Sequence, residues 1–240
     1  MAIISSCPTP TRVPAGQVVF NSSTVRVVPR GVKVIDVFCV GGGASGCSGW
    51  YEPAYTSDVD AEAHGGRGGA GGFTKTVLGA TVTPRSTIVV TVGAGGASQN
   101  SSRVYEAPGG VSSFGNICVA EGGKSYFDPN TGKPRSTPVG GSGGGGPSYA
   151  SQPYDVGGSS GPGGNGGSNG GNGSAGQIGY GGNGQGSTTR AFGEANGTLY
   201  AGGGGAGKAE AFRSQYLVQV GASGVGGTGG GGTNSAGVQN

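Results

Sequence analysis

Gly158-Ser159-Ser160-Gly161-Pro162-Gly163-Gly164-Asn165-Gly166-Gly167-Ser168-Asn169-Gly170-Gly171-Asn172-Gly173-Ser174-Ala175-Gly176-Gln177-Ile178-Gly179-Tyr180-Gly181-Gly182 places glycine at every third position. Nine glycines hold this phase before Gln185 breaks it. The same spacing recurs at Gly43, Gly46 and Gly49, at Gly66, Gly69 and Gly72, at Gly140, Gly143 and Gly146, and at Gly221, Gly224, Gly227 and Gly230. A flexible linker has no reason to keep such a period. A left-handed extended helix with three residues per turn does. Collagen shares the period but fills the other positions with proline, and here only Pro162 falls within the long run. The spacing therefore predicts short polyglycine II-type helices packed side by side. Such helices have no internal hydrogen bonds, so their N–H and C=O groups must pair with neighbours, and a missing Cβ lets backbones come close enough.

Ordering glycine is entropically expensive, so the bundle needs a scaffold that fixes its ends. The rest of the composition supplies a β scaffold. The chain has 240 residues with 61 glycines and 13 prolines, and its 25 valines far outnumber its 3 leucines. Valine suits a pleated sheet and leucine a helix. Disorder would call for a high net charge as well, and the charge is only +3. Short Val-rich runs predict strands at 17–20, 25–28, 32–40, 73–78, 87–92, 111–120 and 211–220, with turns at Pro14-Ala15-Gly16 and Pro29-Arg30-Gly31. In 87–92, Ile88, Val90 and Val92 face one way and Thr87, Val89 and Thr91 the other. The run 32–40 is apolar on both faces except at Lys33 and Asp36, which predicts a central strand. No segment reads as an amphipathic helix. The expected fold is all-β: a small jelly-roll-like β-sandwich carrying a packed bundle of polyglycine II-type helices. It forms a single glycine-rich domain over 1–240, with a β-rich scaffold in 1–139 and a glycine-rich bundle region in 140–240.

The first residues, Met1-Ala2-Ile3-Ile4-Ser5-Ser6-Cys7-Pro8, carry no secretory signal, and no apolar run approaches membrane-helix length. No membrane insertion is expected. Cys7, Cys39, Cys47 and Cys118 fit no zinc pattern beside a single histidine. Two disulfides are formally open to them, but without a signal they read as free thiols, and Cys39 and Cys47 as small buried residues. Lys and Arg are not clustered, which argues against nucleic-acid binding.

In a chain this rich in glycine, catalytic motifs arise by chance. The run Gly202–Lys208 resembles a phosphate-binding loop, but Ala209 stands where the Mg²⁺-binding hydroxyl belongs. Gly166-Gly167-Ser168-Asn169-Gly170 matches a nucleophile elbow inside the triplet run, with only His64 to serve it. Asp58, Asp60, Glu62 and His64 alternate, but Ala63 replaces the glycine that a calcium loop needs. No enzyme activity, cofactor or metal is expected. Aromatic and charged residues gather instead in four segments between glycine runs, 50–64, 124–138, 148–156 and 187–200. Such residues on loops held by a rigid scaffold are where recognition usually sits.

One ordered set of motifs resembles a known family. Val34-Ile35-Asp36-Val37-Phe38-Cys39-Val40-Gly41-Gly42-Gly43 precedes Gly68-Gly69-Ala70-Gly71-Gly72-Phe73-Thr74-Lys75. Val82-Thr83-Pro84-Arg85-Ser86-Thr87-Ile88-Val89-Val90-Thr91-Val92-Gly93-Ala94-Gly95-Gly96 and Gly110-Val111-Ser112-Ser113-Phe114-Gly115 follow. This resembles the glycine-rich domain of bacteriophage tail fibre and tail-tip proteins over about residues 25–123. In alternating glycine-rich segments with variable loops, the chain also resembles the distal adhesins of T-even-like phage long tail fibres. More distantly it is similar to the glycine-rich extracellular domain of anaplastic-lymphoma-type receptor kinases. The family often closes on a Val/Ile-rich strand, a place that 211–220 is expected to take.

The resemblance implies a virion structural protein, a tail fibre or tail-tip subunit whose loops contact the host cell surface as an adhesin. The alternative is a purely structural subunit, such as a head fibre or capsid decoration, with no receptor role. Expected partners are other virion proteins, further copies of the chain as a trimer, and a host surface glycan or protein. The expected location is the virion, after synthesis in the host cytoplasm. With no heptad-repeat shaft in the sequence, docking onto another virion component or self-assembly is expected. The receptor-contact candidates are Trp50, Tyr51, Tyr55, Tyr126, Phe127, Tyr149 and Tyr154, because aromatic rings stack well on sugars or protein at low entropic cost.

Overall fold

A computed structural model describes residues 2–5, 16–46, 50–52, 62–64, 68–97, 107–124, 139–145, 149–151, 190–198, 200–204, 210–211 and 218–219. The phased run 158–182, and Tyr55, Tyr126, Phe127 and Tyr154, lie outside the described residues. Thirteen strands are described: β1 (Ala2–Ser5), β2 (Gln17–Phe20), β3 (Thr24–Val27), β4 (Val34–Val40), β5 (Trp50–Glu52), β6 (Glu62–His64), β7 (Thr74–Thr81), β8 (Thr87–Thr91), β9 (Ser112–Phe114), β10 (Cys118–Ala120), β11 (Tyr149–Ser151), β12 (Glu210–Ala211) and β13 (Val218–Gln219). The sole helical element among them is a 3-10 turn at Ala191–Gly193. The chain is all-β.

One four-stranded sheet has the order β2-β1-β4-β7, and a second has β10-β9-β8-β3. Every pairing within them is antiparallel. They share one core. Ile35, Val37 and Cys39 from β4 meet Val90 from β8, Phe114 from β9, and Cys118 and Ala120 from β10, with Val28, Val32 and Val82 at the turns. The β8 alternation is as the sequence predicts: Val90 is fully buried and Val89 is 59% exposed. Pro29-Arg30-Gly31 turns as expected, with Gly31 at φ +90° and a Val32 N–H to Pro29 carbonyl bond. Pro84-Arg85 turns between β7 and β8, with Ser86 donating to the Thr83 carbonyl. Arg85 sits there at φ +68°, in a place that usually falls to glycine.

The central position of β4 is also as expected, and it is buried on both faces. Phe38 and Val40 lie away from the sandwich core, under Ala191 and Ala201, with Phe192 and Tyr200 against them. Asp36 has a structural reason. The β4–β7 register shifts between Ile35 and Val37, so Leu78 and Gly79 together oppose Asp36. This is a bulge, with Gly79 at φ +66°. The freed Gly79 N–H donates to Asp36 Oδ1 at 2.7 Å.

Two expected strands are corrected. The span 111–120 is a hairpin, β9 and β10, because Gly115 at φ +51° and Ile117 N–H bonded to the Phe114 carbonyl reverse the chain. The span 211–220 does not form one closing strand, since β12 and β13 pair antiparallel with each other. The described strands β1, β5, β6 and β11 were not expected from the sequence.

Between the strands run glycine-rich segments that belong to no ladder: 41–46, 68–73, 92–97, 107–111, 121–123, 139–145 and 200–204. Five of them continue sandwich strands directly. β4 runs into 41–46, β8 into 92–97 and β10 into 121–123, while 68–73 feeds β7 and 107–111 feeds β9. The sheets thus fix the ends of the segments, as the entropy of glycine requires.

Candidate recognition site

The platform is a backbone hydrogen-bond lattice. Gly41 N–H donates to the Phe73 carbonyl at 2.9 Å, and Ala44 N–H to Ala70 at 2.8 Å. Gly42 N–H donates to Gly110 and Ser45 N–H to Ala107, each at 2.9 Å. Gly68 N–H donates to Gly145 at 3.2 Å and Gly71 N–H to Ser142 at 3.0 Å. In each pair the donor advances three residues as the acceptor retreats three. The neighbours are therefore antiparallel and bonded every third residue, whereas a β ladder bonds a given neighbour every second. Segment 41–46 also receives Gly96 N–H on the Gly43 carbonyl and Gly123 N–H on the Gly42 carbonyl. One segment therefore has neighbours on several sides.

Close approach explains the glycines. A Cβ on Gly69 or Gly72 would meet the carbonyl oxygens of Ala44 or Gly41 at 2.2 or 1.9 Å. A Cβ on Gly68 or Gly71 would meet Gly204 or Ala201 at 1.9 or 2.1 Å. Two phases of the triplet must be bare, one toward each neighbour. The third carries Ala70, 1% exposed. The described part, 202–204, of the run that mimics a phosphate loop is used here too: Gly203 abuts the Gly143 carbonyl and Gly204 N–H donates to Gly69.

Segments 41–46 and 68–73 connect the paired strands β4 and β7 to another pair, β5 and β6. β11 follows segment 139–145 and completes a three-stranded sheet in the order β11-β6-β5. Trp50 and Tyr51 therefore stand on a strand rather than a loop, and so does Tyr149. Register aligns Trp50 with His64, and His64 with Tyr149, in one cross-strand row. Glu52, Glu62 and Ser151 form the row two residues along, on the same face. Tyr51, Ala63 and Ala150 form the row on the opposite face. Two of the seven candidates, Trp50 and Tyr149, thus share a row, and Tyr51 does not. His64, central in that row, reads in the sequence only as a metal ligand or a base. Its alternation with Glu62 was visible; its alignment with Trp50 was not.

The fourth aromatic segment packs inward. Phe192 lies with its ring centroid 5.8 Å from that of Phe38, and Tyr200 lies 5.4 Å away, both tilted. Phe192 adopts φ +55°, unusual for a bulky residue, inside a turn closed by Ala191 N–H to Thr198 and Arg190 to the Gly197 carbonyl. Burial raises the Tyr200 pKa, partly offset by a hydrogen bond with Thr198. At the lattice edge, Lys124 pairs with Glu121 and lies 5.6 Å above the Phe73 ring. Among the described residues, no three of His, Cys, Asp and Glu are grouped as metal ligands. No helix among them is long and apolar enough to cross a membrane.

No curated protein and no solved structure matches the chain. A family model described as "Glycine-rich domain" matches residues 20–240, nearly the whole sequence and every lattice segment described above. The chain belongs to this glycine-rich domain family.

Proposed function

We propose that the chain is a bacteriophage virion protein, a tail fibre or tail-tip subunit whose outward segments contact the host surface. It does so as a non-enzymatic adhesin, working as a homo-oligomer, with a trimer favoured, beside other virion proteins. The glycine segments are polyglycine II-type helices, and the two sheets form a jelly-roll-like sandwich that anchors them. The observation that carries this reading is the lattice bonded every third residue. It is a backbone-bonded base whose few side chains are small, and the inserted segments lie between its runs in the sequence, the arrangement that a variable binding surface needs. The ordered motifs over 34–115 and their resemblance to phage fibre domains support it. The Trp50–His64–Tyr149 row is the contact we favour, since aromatic residue types dominate recognition.

A second reading is a purely structural virion subunit. It is favoured by the outer face of the sheet β10-β9-β8-β3, where Val25, Val27, Val89 and Val119 are all at least 41% exposed. An uncharged Val-lined face of this kind suits an interface. Purified protein added to host cells separates the two. Binding that blocks infection, lost in the Trp50→Ala/Tyr149→Ala double variant with unchanged Tm, supports the adhesin. Protein that coats particles and ignores cells supports the subunit.

A further inference from the structure

We propose that Cys39 and Cys118 are a redox-modifiable pair that closes to a disulfide joining the two sheets. Cys39 lies on β4 and Cys118 on β10, which packs against both β4 and β7. Both residues are fully buried and both are free thiols. Buried cysteines often serve only as small apolar residues. This pair is different because the Cys39 thiol reaches the backbone of Cys118 across the two sheets. Cys39 Sγ donates to the Cys118 carbonyl at 3.7 Å, and Cys118 Sγ donates to the Lys75 carbonyl on β7 at 3.4 Å. The Cys39 sulfur therefore already touches the residue it would bond. Disulfides need facing Cβ atoms on backbones roughly 4.4–6.8 Å apart at Cα, and here Cys39 Sγ lies 3.7 Å from the backbone oxygen of Cys118.

The surroundings divide the roles. The hydrogen bond from Cys39 lowers the Cys118 pKa, against burial and with help from the Lys75 ammonium. The same hydrogen bond, followed by burial, raises Cys39, against a weaker backbone contact from Phe114. Val37, Val90, Phe114 and Ala120 complete the apolar shell. Cys118 is thus the sulfur that reacts first, since the thiolate is the nucleophile.

The oxidant is a peroxide, small enough to enter when the core opens locally. The Cys118 thiolate attacks one peroxide oxygen, the O–O bond breaks, and the departing hydroxide takes up a proton. The Cys39 sulfur then attacks the Cys118 sulfenic acid. The S–O bond breaks, and the leaving hydroxide takes the Cys39 proton as water. In sum, two thiols and one hydrogen peroxide give one disulfide and two waters.

The two cysteines are 79 residues apart. Lattice segments 41–46, 68–73, 92–97 and 107–111 all lie in the loop that the bond would close. Closing so long a loop restricts the unfolded chain strongly. The full-length reduced protein, treated with hydrogen peroxide, denatured, alkylated and digested, tests the proposal. We expect a linked Cys39–Cys118 peptide, and a Tm raised by about 5–10 °C that dithiothreitol reverses. The Cys7→Ser/Cys47→Ser variant, which leaves the buried pair intact, should behave identically. Recovery of Cys39 and Cys118 both alkylated overturns the proposal. So does either one recovered as a sulfinic acid, or Cys118 linked to Cys7 or Cys47.

Discussion

Gly72→Ala probes the lattice at one of its tightest contacts. The added Cβ would stand 1.9 Å from the Gly41 carbonyl oxygen and 2.3 Å from its carbon. Both are backbone atoms, so no side chain can swing aside. Reaching the 3.4 Å of ordinary contact requires the two segments to part by about 1.5 Å. The Gly41-to-Phe73 and Ala44-to-Ala70 hydrogen bonds, at 2.9 and 2.8 Å, do not survive that displacement. Each buried group left unpaired costs about 1–3 kcal/mol, so the loss should be about 2–6 kcal/mol. For a chain of this size that lowers Tm by roughly 5–20 °C. Gly95→Ala is the control. Its Cβ would meet only the Gly43 carbonyl, at 3.8 Å, and Gly95 does not have a positive φ. That substitution should be neutral or stabilising by up to about 1 kcal/mol, through reduced freedom of the unfolded chain. Thermal and urea unfolding of the two variants, side by side, are the assay. Equal effects, or no loss at Gly72, would refute the claim that inter-backbone contact holds these segments.

Phe38→Ala should destabilise by about 3–5 kcal/mol in urea titration, because it removes the ring on which Phe192 and Tyr200 rest. Asp36→Ala leaves the exposed Gly79 N–H at the bulge to water and should cost about 0.5–1.5 kcal/mol, whereas Asp36→Asn, which keeps an acceptor, should cost less; equilibrium unfolding separates them. Tyr200 has a pKa raised by burial, so the unfolded chain loses that proton first as pH climbs past 10. Its contribution to stability is complete below pH 10 and is lost as pH rises through the folded value. The fall in Tm between pH 9 and pH 11 should therefore be shallower in Tyr200→Phe than in the parent.

The candidate site was partly legible in the sequence. Trp50, Tyr51 and Tyr149 stood out as aromatics between glycine runs. Their segments read as loops because three-residue strands such as β5, β6 and β11 are too short to show alternation. Nothing local links Trp50 to Tyr149, which share a row only because β6 lies between their strands. Phe192 and Tyr200 carried the same surface-like signal, yet they pack on Phe38. A composition count cannot distinguish a ring that faces out from one that roofs a buried strand.

The sequence by itself determined the β character, the central place of β4 and the triplet spacing of glycine. Each is a local consequence of side-chain shape: Val favours the pleat, a strand apolar on both faces must be covered twice, and a bare Cα every third residue lines one side of an extended helix. Tertiary structure alone decided that two phases must be bare, as at Gly68, Gly69, Gly71 and Gly72, because a segment inside a lattice has neighbours on more than one side. It also decided which segments meet. Gly41 pairs with Phe73 and Gly42 with Gly110 because β4, β7 and β9 deliver those chains to one place, and glycine has no side chain with which to encode a partner.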